Sequence, residues 1–379
     1  MTPPSVTLVI PGRNCEATLD RCLQSVVPLL AASNHDENES DDSDAARPAS
    51  GRGAGGEGVS AAELREIIFV DDGSTDSTPE IASRYPIRVL TGQGQGPGAA
   101  RNLGWRAADS DWVWFIDSDC VAEPGALRNL LAHTGHPRIA GVGGSYSNLY
   151  PDSLVASLIH EEIVSRHRRM GNEVNFLATF NVLYQRGVLQ QVGGFDESLK
   201  LAQDAELAYR VIAAGHRLRF EIDSRVGHHH PRNIWRYMRT QARQGYYRVM
   251  LYRQHPTKMS GDSYSGLLDF LPPPVGLLCL VLSPAMVLGA APVSYVGLAL
   301  VMALIILHMP VTLRLVRQLD PTMLNFLWFG SLRAIARGVG LACGVCFSFF
   351  GFIRGPLRSG NARVQQADLS TLPILESRD

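Results

Sequence analysis

The chain has 379 residues, enough for one large domain or two with real cores, and its formal net charge of -1 gives no global basic signature of nucleic-acid binding. That balance hides a split: acidic residues crowd the middle of the N-terminal third, whereas the C-terminal third is strongly apolar with scattered arginine. Cys15, Cys22, Cys120, Cys279, Cys343 and Cys346 follow no disulfide-scaffold spacing, which suits a reducing environment. Cys343 and Cys346 form a C-x-x-C inside an apolar run with no second pair, which reads as small membrane-buried residues and not as a zinc or redox site. The N-terminus enters a strand almost at once and has no signal-peptide pattern.

Val6–Ile10 reads as a first buried strand, stopped by Pro11-Gly12, and apolar residues at helical spacing from Cys15 to Ala32 predict a helix after it. Residues 34–60 change character to an acidic and then Gly/Ala/Ser-rich composition that cannot fill a core, and they are expected to form a disordered surface insertion. Glu66–Val70 is the second strand and runs into Asp71-Asp72-Gly73-Ser74-Thr75-Asp76. A short helix over Pro79–Arg84 leads to a third strand, Ile87–Leu90, and a Gly-rich stretch, residues 92–98, opens a helix at Ala99–Gly104.

The fourth strand, Trp112–Ile116, ends on Asp117-Ser118-Asp119. Residues two apart in a strand face the same side, and two adjacent carboxylates repel unless a hard divalent cation lies between them. Strands alternating with helices predict a parallel α/β sheet, whose ligands bind beyond the carboxyl ends of the strands. Pro11–Asn14, Asp71–Ser74 and Asp117–Asp119 all fall on that rim. Beyond Cys120 the pattern is mixed, with a helix over Leu154–Arg169, a strand-like stretch Asn175–Tyr184, an amphipathic helix from Asp204, a strand Leu218–Ile222, His228-His229-His230-Pro231, and a basic aromatic helix Ile234–Tyr252.

Val275–Ala291 and Val293–Val311 are apolar runs of about spanning length, and flanking arginines place both ends of this hairpin on the cytoplasmic side. A third segment, Leu324–Ile353, carries Arg333 and Arg337 in its first half, with Arg354 and Arg358 just past its end, so it spans, lies at the interface or is re-entrant. The organisation expected is a catalytic domain over 1–255, a linker over 256–274, a hydrophobic membrane region of two to three helices over 275–355, and a tail over 356–379.

Taken together the motifs resemble the family 2 glycosyltransferases. The series is Val-Ile-Pro-Gly-Arg-Asn (9–14), Val-Asp-Asp-Gly-Ser-Thr-Asp (70–76), Gly-Pro-Gly-Ala-Ala-Arg-Asn-Leu-Gly (96–104), Asp-Ser-Asp (117–119), Gly-Gly-Phe-Asp-Glu (193–197), Gln-Asp-Ala-Glu-Leu-Ala-Tyr-Arg (203–210) and Val-Gly-His-His-His-Pro (226–231). Each piece is weak alone, and their order and spacing make the likeness specific. The resemblance implies an α/β GT-A nucleotide-diphospho-sugar transferase fold, a mostly parallel sheet flanked by helices, followed by C-terminal transmembrane helices.

It further implies a nucleotide-sugar donor (a UDP-sugar foremost), Mg²⁺ or Mn²⁺, and a glycan or lipid-linked acceptor. By that likeness Pro11, Arg13, Asp71, Asp72, Arg101 and Asp117 hold the nucleotide and donor, and Asp119 and His228 hold the metal. Asp204 is the general base of an inverting displacement. The membrane-attached bacterial members imply a multi-pass inner-membrane protein with its catalytic domain in the cytoplasm and no nucleic-acid partner. Two positions depart from the pattern: Gln241-Ala-Arg-Gln-Gly245 lacks the Trp of processive synthases, and Gln203 replaces the acid before Asp204. A nucleotidyltransferase or an inactive scaffold of a glycan-assembly complex are the competing classes. The first would want a basic phosphate loop near the first strand, and the intact Asp117, Asp119 and Asp204 argue against the second.

Overall fold

The computed structural model describes residues 4–35, 63–289 and 291–353. The expected insertion therefore lies outside the described residues from 36 onward, as does the tail over 356–379. The elements are β1 (Ser5–Gly12), α1 (Leu19–His35), β2 (Glu63–Asp71), α2 (Thr78–Ala82), β3 (Arg88–Thr91), α3 (Pro97–Ala107), β4 (Trp112–Ile116), β5 (Cys120–Ala122), α4 (Ala126–Leu131) and β6 (Ile139–Asn148). They continue with α5 (Leu154–His167), β7 (Glu173–Val174), β8 (Asn181–Gln185), α6 (Arg186–Val192), α7 (Gln203–Ala213), β9 (Arg217–His228), α8 (Ile234–Gln254), α9 (Pro272–Val287), α10 (Ala291–Gln318) and α11 (Phe326–Ile353).

Two compact units divide the chain. The first comprises residues 1–149, 167–197 and 203–229, and the second 150–166, 198–202 and 230–379. In the first, the described strands form one sheet in the order β3-β2-β1-β4-β8-β6-β9-β5, with β7 paired to β9. Continuous apolar runs make β1, β2 and β4 strands buried on both faces, as parallel sheets require. The parallel sheet expected from sequence holds for β3-β2-β1-β4. The other half is mixed: β8 runs antiparallel to β4 and β6, β6 runs parallel to β9, and β5 and β7 run antiparallel to β9.

Pro11 sits in β1 opposite Val70 of β2, beyond the last pairing of β1 with β4 at Val9 and Phe115, so its missing N–H breaks no ladder bond on that side. Helix α3 lies close on β1 and β2 because Gly104 leaves room for Val9 and Val70. Helix α1 begins at Leu19 and not at Cys15: Cys15 N–H is taken by Thr78 Oγ1 at 2.8 Å, and residues 15–18 form a turn on the Cys15 carbonyl. The strand-like stretch from Asn175 becomes regular only at Asn181, where pairing with Ile116 of β4 begins.

The pairing of β6 with β9 passes from Gly143 opposite Phe220 to Ser145 opposite Arg225, so residues 221–224 leave the ladder as an excursion. Ser224 anchors its end. Its Oγ donates to the Ala126 carbonyl at 2.8 Å, and Asn181 Nδ2 donates to the Ser224 carbonyl at 3.1 Å.

In the second unit, α8 and α9 pack against α11 around Tyr237, Met238, Phe326 and Phe329 and around Cys279 and Ala334. The apolar runs expected over 275–291 and 293–311 appear as a 16-residue helix, α9, and a 28-residue helix, α10, that continues past Arg314 and Arg317. Residues 291–318 and 321–349 are long and apolar enough to cross a membrane.

Candidate active site

The carboxyl ends of β1, β2 and β4 carry the motif residues onto one rim of the first unit. The loops after β1 and β2 are laced together side chain to backbone. Asn14 Oδ1 accepts from Thr75 N–H at 2.8 Å, Ser74 Oγ accepts from Asn14 N–H at 2.9 Å, and Glu16 and Asp76 accept across the same gap. This network holds Asn14 at a left-handed φ of 49°. Thr75 and Asp76 thus serve the loop's shape.

Asp71 and Asp72 are both buried. Asp71 Oδ1 accepts from Ser74 N–H at 3.0 Å. Asp72 reaches the Gly-rich loop, and its two oxygens accept from Gln95 N–H at 3.0 Å and Gly96 N–H at 2.6 Å. Gly94 and Gly96 take φ of 70° and 98°, which the loop's path over Asp72 requires. Exposed Arg13 lies against this loop, its Nη1 3.5 Å from where a Cβ on Gly94 would stand, and Pro11 is buried in its strand.

Arg101 projects from α3 and is only 4% exposed. Its Nη2 meets Asp117 Oδ1 at 2.6 Å, and the guanidinium lies over the Phe195 ring at 5.7 Å. The buried Nε and Nη1 have no hydrogen-bond partner among the described residues. A buried guanidinium with two nitrogens unpaired carries a positive charge that its one ion pair does not exhaust.

Asp119 comes together with His228. Strand β5 pairs with the end of β9, Cys120 opposite His228, and His229 N–H donates to the Asp119 carbonyl at 3.1 Å. That pairing sets His228 Nε2 3.3 Å from Asp119 Oδ2, with the side chains 17% and 44% exposed. Burial works against the ionised Asp119 carboxyl, yet the His228 imidazole, together with a backbone hydrogen bond and His229, holds the group below the usual carboxylate range. The ligand atoms of Asp119, Cys120 and His228 lie within 4.8 Å of one another. Burial, and then the charges of Asp119 and Asp117, push the Cys120 thiol well up, so it is a neutral neighbour and a poor donor.

One carboxylate and one imidazole opening to solvent fit Mg²⁺ or Mn²⁺, which keep few protein ligands and take the rest from phosphate and water. Cys120 had no sequence signal, since its place in the cluster comes from the β5–β9 register.

Asp204 stands in the first turn of α7, its Oδ1 accepting from Ala205 N–H at 2.8 Å, and its neighbour Gln203 packs on Gly98, where a Cβ would touch the Gln203 Oε1 at 2.5 Å. The N-terminal turns of α3 and α7 therefore meet. Burial first, and the charge of Asp204 second, push the Tyr184 phenol up, which places that carboxylate's field on the buried face of β8. Glu206 turns away to Arg210 at 2.5 Å. His229 and His230 contribute no ligand to the Asp119 cluster.

A half-parallel, half-mixed sheet with an Asp-x-Asp rim closing β4 is the GT-A fold. Residues 59–193 match the model of Glycosyl transferase family 2. Asp71, Asp72, Arg101, Asp117 and Asp119 lie inside the matched segment, and Pro11, Arg13, Asp204 and His228 outside it. The chain is 31% identical over 211 residues to the pre-mycofactocin glycosyltransferase of Mycobacterium tuberculosis, covering 53% of this chain and 45% of that one. It is 29% identical over 180 residues to the O-antigen chain rhamnosyltransferase WbaN of Salmonella anatum, covering 44% and 56%. The chain thus spans about half the length of the curated relatives it matches. Among solved structures it is similar to the mannosyltransferase PcManGT from Pyrobaculum calidifontis, in complex with GDP-Man and Mn²⁺, with a TM-score of 0.51, 19% identity and 88% of each chain covered.

Proposed function

We propose that the protein is a membrane-anchored inverting glycosyltransferase that moves a sugar from a nucleoside-diphosphate donor to a hydroxyl of a glycan or lipid-linked acceptor. The observation that carries this reading is the rim of β4: Asp119 beside His228, and Asp117 held by an Arg101 with two buried donors unspent. A divalent cation bound there, Mg²⁺ or Mn²⁺, neutralises diphosphate charge and makes it a better leaving group. The family 2 match and the GDP-Man and Mn²⁺ bound by PcManGT support the same chemistry.

In this reading Asp119 and His228 hold the metal, and the free donors of Arg101 take a diphosphate oxygen. Asp71, with Pro11 and Arg13, borders the nucleotide. Asp72 acts by holding the Gly-rich loop, because both its oxygens are already engaged. Asp204 accepts the proton of the acceptor hydroxyl as that oxygen bonds to the anomeric carbon. The bond from that carbon to the diphosphate breaks, and nucleoside diphosphate leaves from the opposite face, inverting the centre. UDP-sugars are the donors to try first.

Anchoring is supported by α9 and α10, whose outward residues Val281, Val287, Leu298 and Ile306 are exposed apolar side chains. Arg314 and Arg317, in the last turns of α10, support a catalytic domain on the cytoplasmic side of an inner membrane. The test is divalent-dependent release of nucleoside diphosphate from a panel of nucleotide sugars by detergent-solubilised protein. Asp119→Ala and Asp204→Asn are each expected to lower turnover by roughly 10³-fold, Asp204→Asn without loss of Mn²⁺ binding. Turnover of no donor, or wild-type rates in both variants, overturns the reading.

A further inference from the structure

Residues 321–349, which include most of α11, are long and apolar enough to cross a membrane. Helix α11 is nevertheless fastened along one side to α8, a helix rich in arginine. Tyr237 stacks on Phe329 with centroids 5.3 Å apart, Arg337 Nε donates to Gln241 Oε1 at 2.7 Å and its Nη2 to Gln244 Oε1 at 3.1 Å, and Tyr246 meets Phe347 at 5.9 Å. Position numbers rise together in the two helices, so they run parallel side by side. Glycines set the spacing. A Cβ on Gly245 would strike the Arg337 main chain, one on Gly340 the Ala242 carbonyl, and one on Gly344 would stand 3.0 Å from the Tyr246 carbonyl. Backbones this close move as one body.

The opposite face of α8 carries Trp235, 74% exposed, with Arg236, Arg239 and Arg243 exposed at helical spacing beside it. The arginines of α11 itself do not share that surface. Arg333 pairs with Glu162, which also holds Arg166 at 3.1 Å, and Arg337 is spent on α8. What α11 leaves outward is apolar: Trp328, Leu332, Val345 and Phe349. If α11 crossed the bilayer, the arginine stripe of α8 would be carried into hydrocarbon alongside it, where guanidinium groups are strongly disfavoured. At the interface the same stripe meets phosphate groups and Trp235 finds its preferred depth.

We infer that α8 and α11 lie together in the bilayer interface, with Trp235, Arg236, Arg239 and Arg243 docked on headgroup phosphates. On this geometry α11 does not cross, and only the α9–α10 hairpin enters the membrane. The inference rests on the membrane reading above and assigns a fate to its third hydrophobic segment. It fixes sidedness: the C-terminal end of α11 lies on the face from which α9 departs.

The test uses the full chain in proteoliposomes with Cys343→Ala and Cys346→Ala, and cysteines placed by Glu80→Cys on α2 and Ser359→Cys after α11. An impermeant PEG-maleimide is added outside. Same-side termini give two populations, molecules shifted by two PEG steps and molecules unshifted, in the ratio of the two vesicle orientations. A single step in every molecule means α11 crosses, and overturns the inference while leaving membrane anchoring intact. Release of the protein by alkaline carbonate overturns the anchoring itself. As a second reading, a nitroxide at Arg243→Cys is expected to collide with an aqueous nickel chelate more often than with oxygen, and the reverse order overturns the headgroup docking.

Discussion

The two carboxylates that follow β4 stand one residue apart and lead different lives. Asp117 is tied to Arg101, a buried permanent cation on α3, which packs on the parallel half of the sheet. Asp119 is tied to His228, a titratable base delivered by the mixed half through the β5–β9 ladder. The first is braced within its own half, whereas the second exists as a site only where the halves join. That contrast separates residues that preorganise the donor pocket from residues that complete a metal corner.

The largest break in the comparison is expected at Asp119. Asp119→Ala should lower turnover by roughly 10³-fold and abolish Mn²⁺ binding followed by electron paramagnetic resonance. Asp117→Asn should leave that binding within about 10-fold of wild type, because a carboxamide loses only the ionic part of one contact. Equal metal loss in both would erase the distinction. A smaller effect follows from Arg101→Met, which strands Asp117. With Asp117 about a third exposed, the cost should be about 2 kcal/mol in urea denaturation, below that of a fully buried pair, together with a raised donor KM.

Asp72→Ala frees two loop N–H groups and should cost about 1–3 kcal/mol, measured the same way, with donor KM rising and metal affinity unchanged. The smallest effect lies away from the site, at the start of the sheet. Ser5 N–H and Oγ both donate to Asp111, at 3.0 and 2.7 Å, and hold its carboxyl below the usual range. A depressed pKa contributes stability that is full above the ordinary carboxylate range and fades as pH falls through the depressed value. Asp111→Asn should therefore narrow the difference in Tm between pH 7 and pH 3, and an unchanged difference would show that this clasp adds nothing.

What sequence reading recovered tracks how local the cause is. The continuous apolar runs of β1, β2 and β4 and the turn residues after them are local, and those strands and their rim motifs stand where expected. The mixed half depends on pairings between distant segments. No local pattern distinguishes Glu173–Val174 as a strand, extends β9 from Ile222 to His228, or sets Cys120 opposite His228. The contact between Gln203 and Gly98 was equally hidden, because it is made by two helix termini far apart in the chain. In the second unit, composition marked the apolar helices, and the glycines that bind α11 to α8 read as ordinary small residues until their neighbours were in place.

The excursion at residues 221–224 has a consequence for how this chain tolerates change. Because Ser224 is pinned by Ala126 and Asn181, the stretch of β9 before it and the stretch after it are two independently phased strands. Residues added or removed within 221–223 need not propagate, and His228 keeps step with Cys120 whatever their number. An affinity tag placed after the exposed Ile222 would lengthen the protein without retuning its metal corner, whereas the same tag two residues past Ser224 would throw His228 out of register.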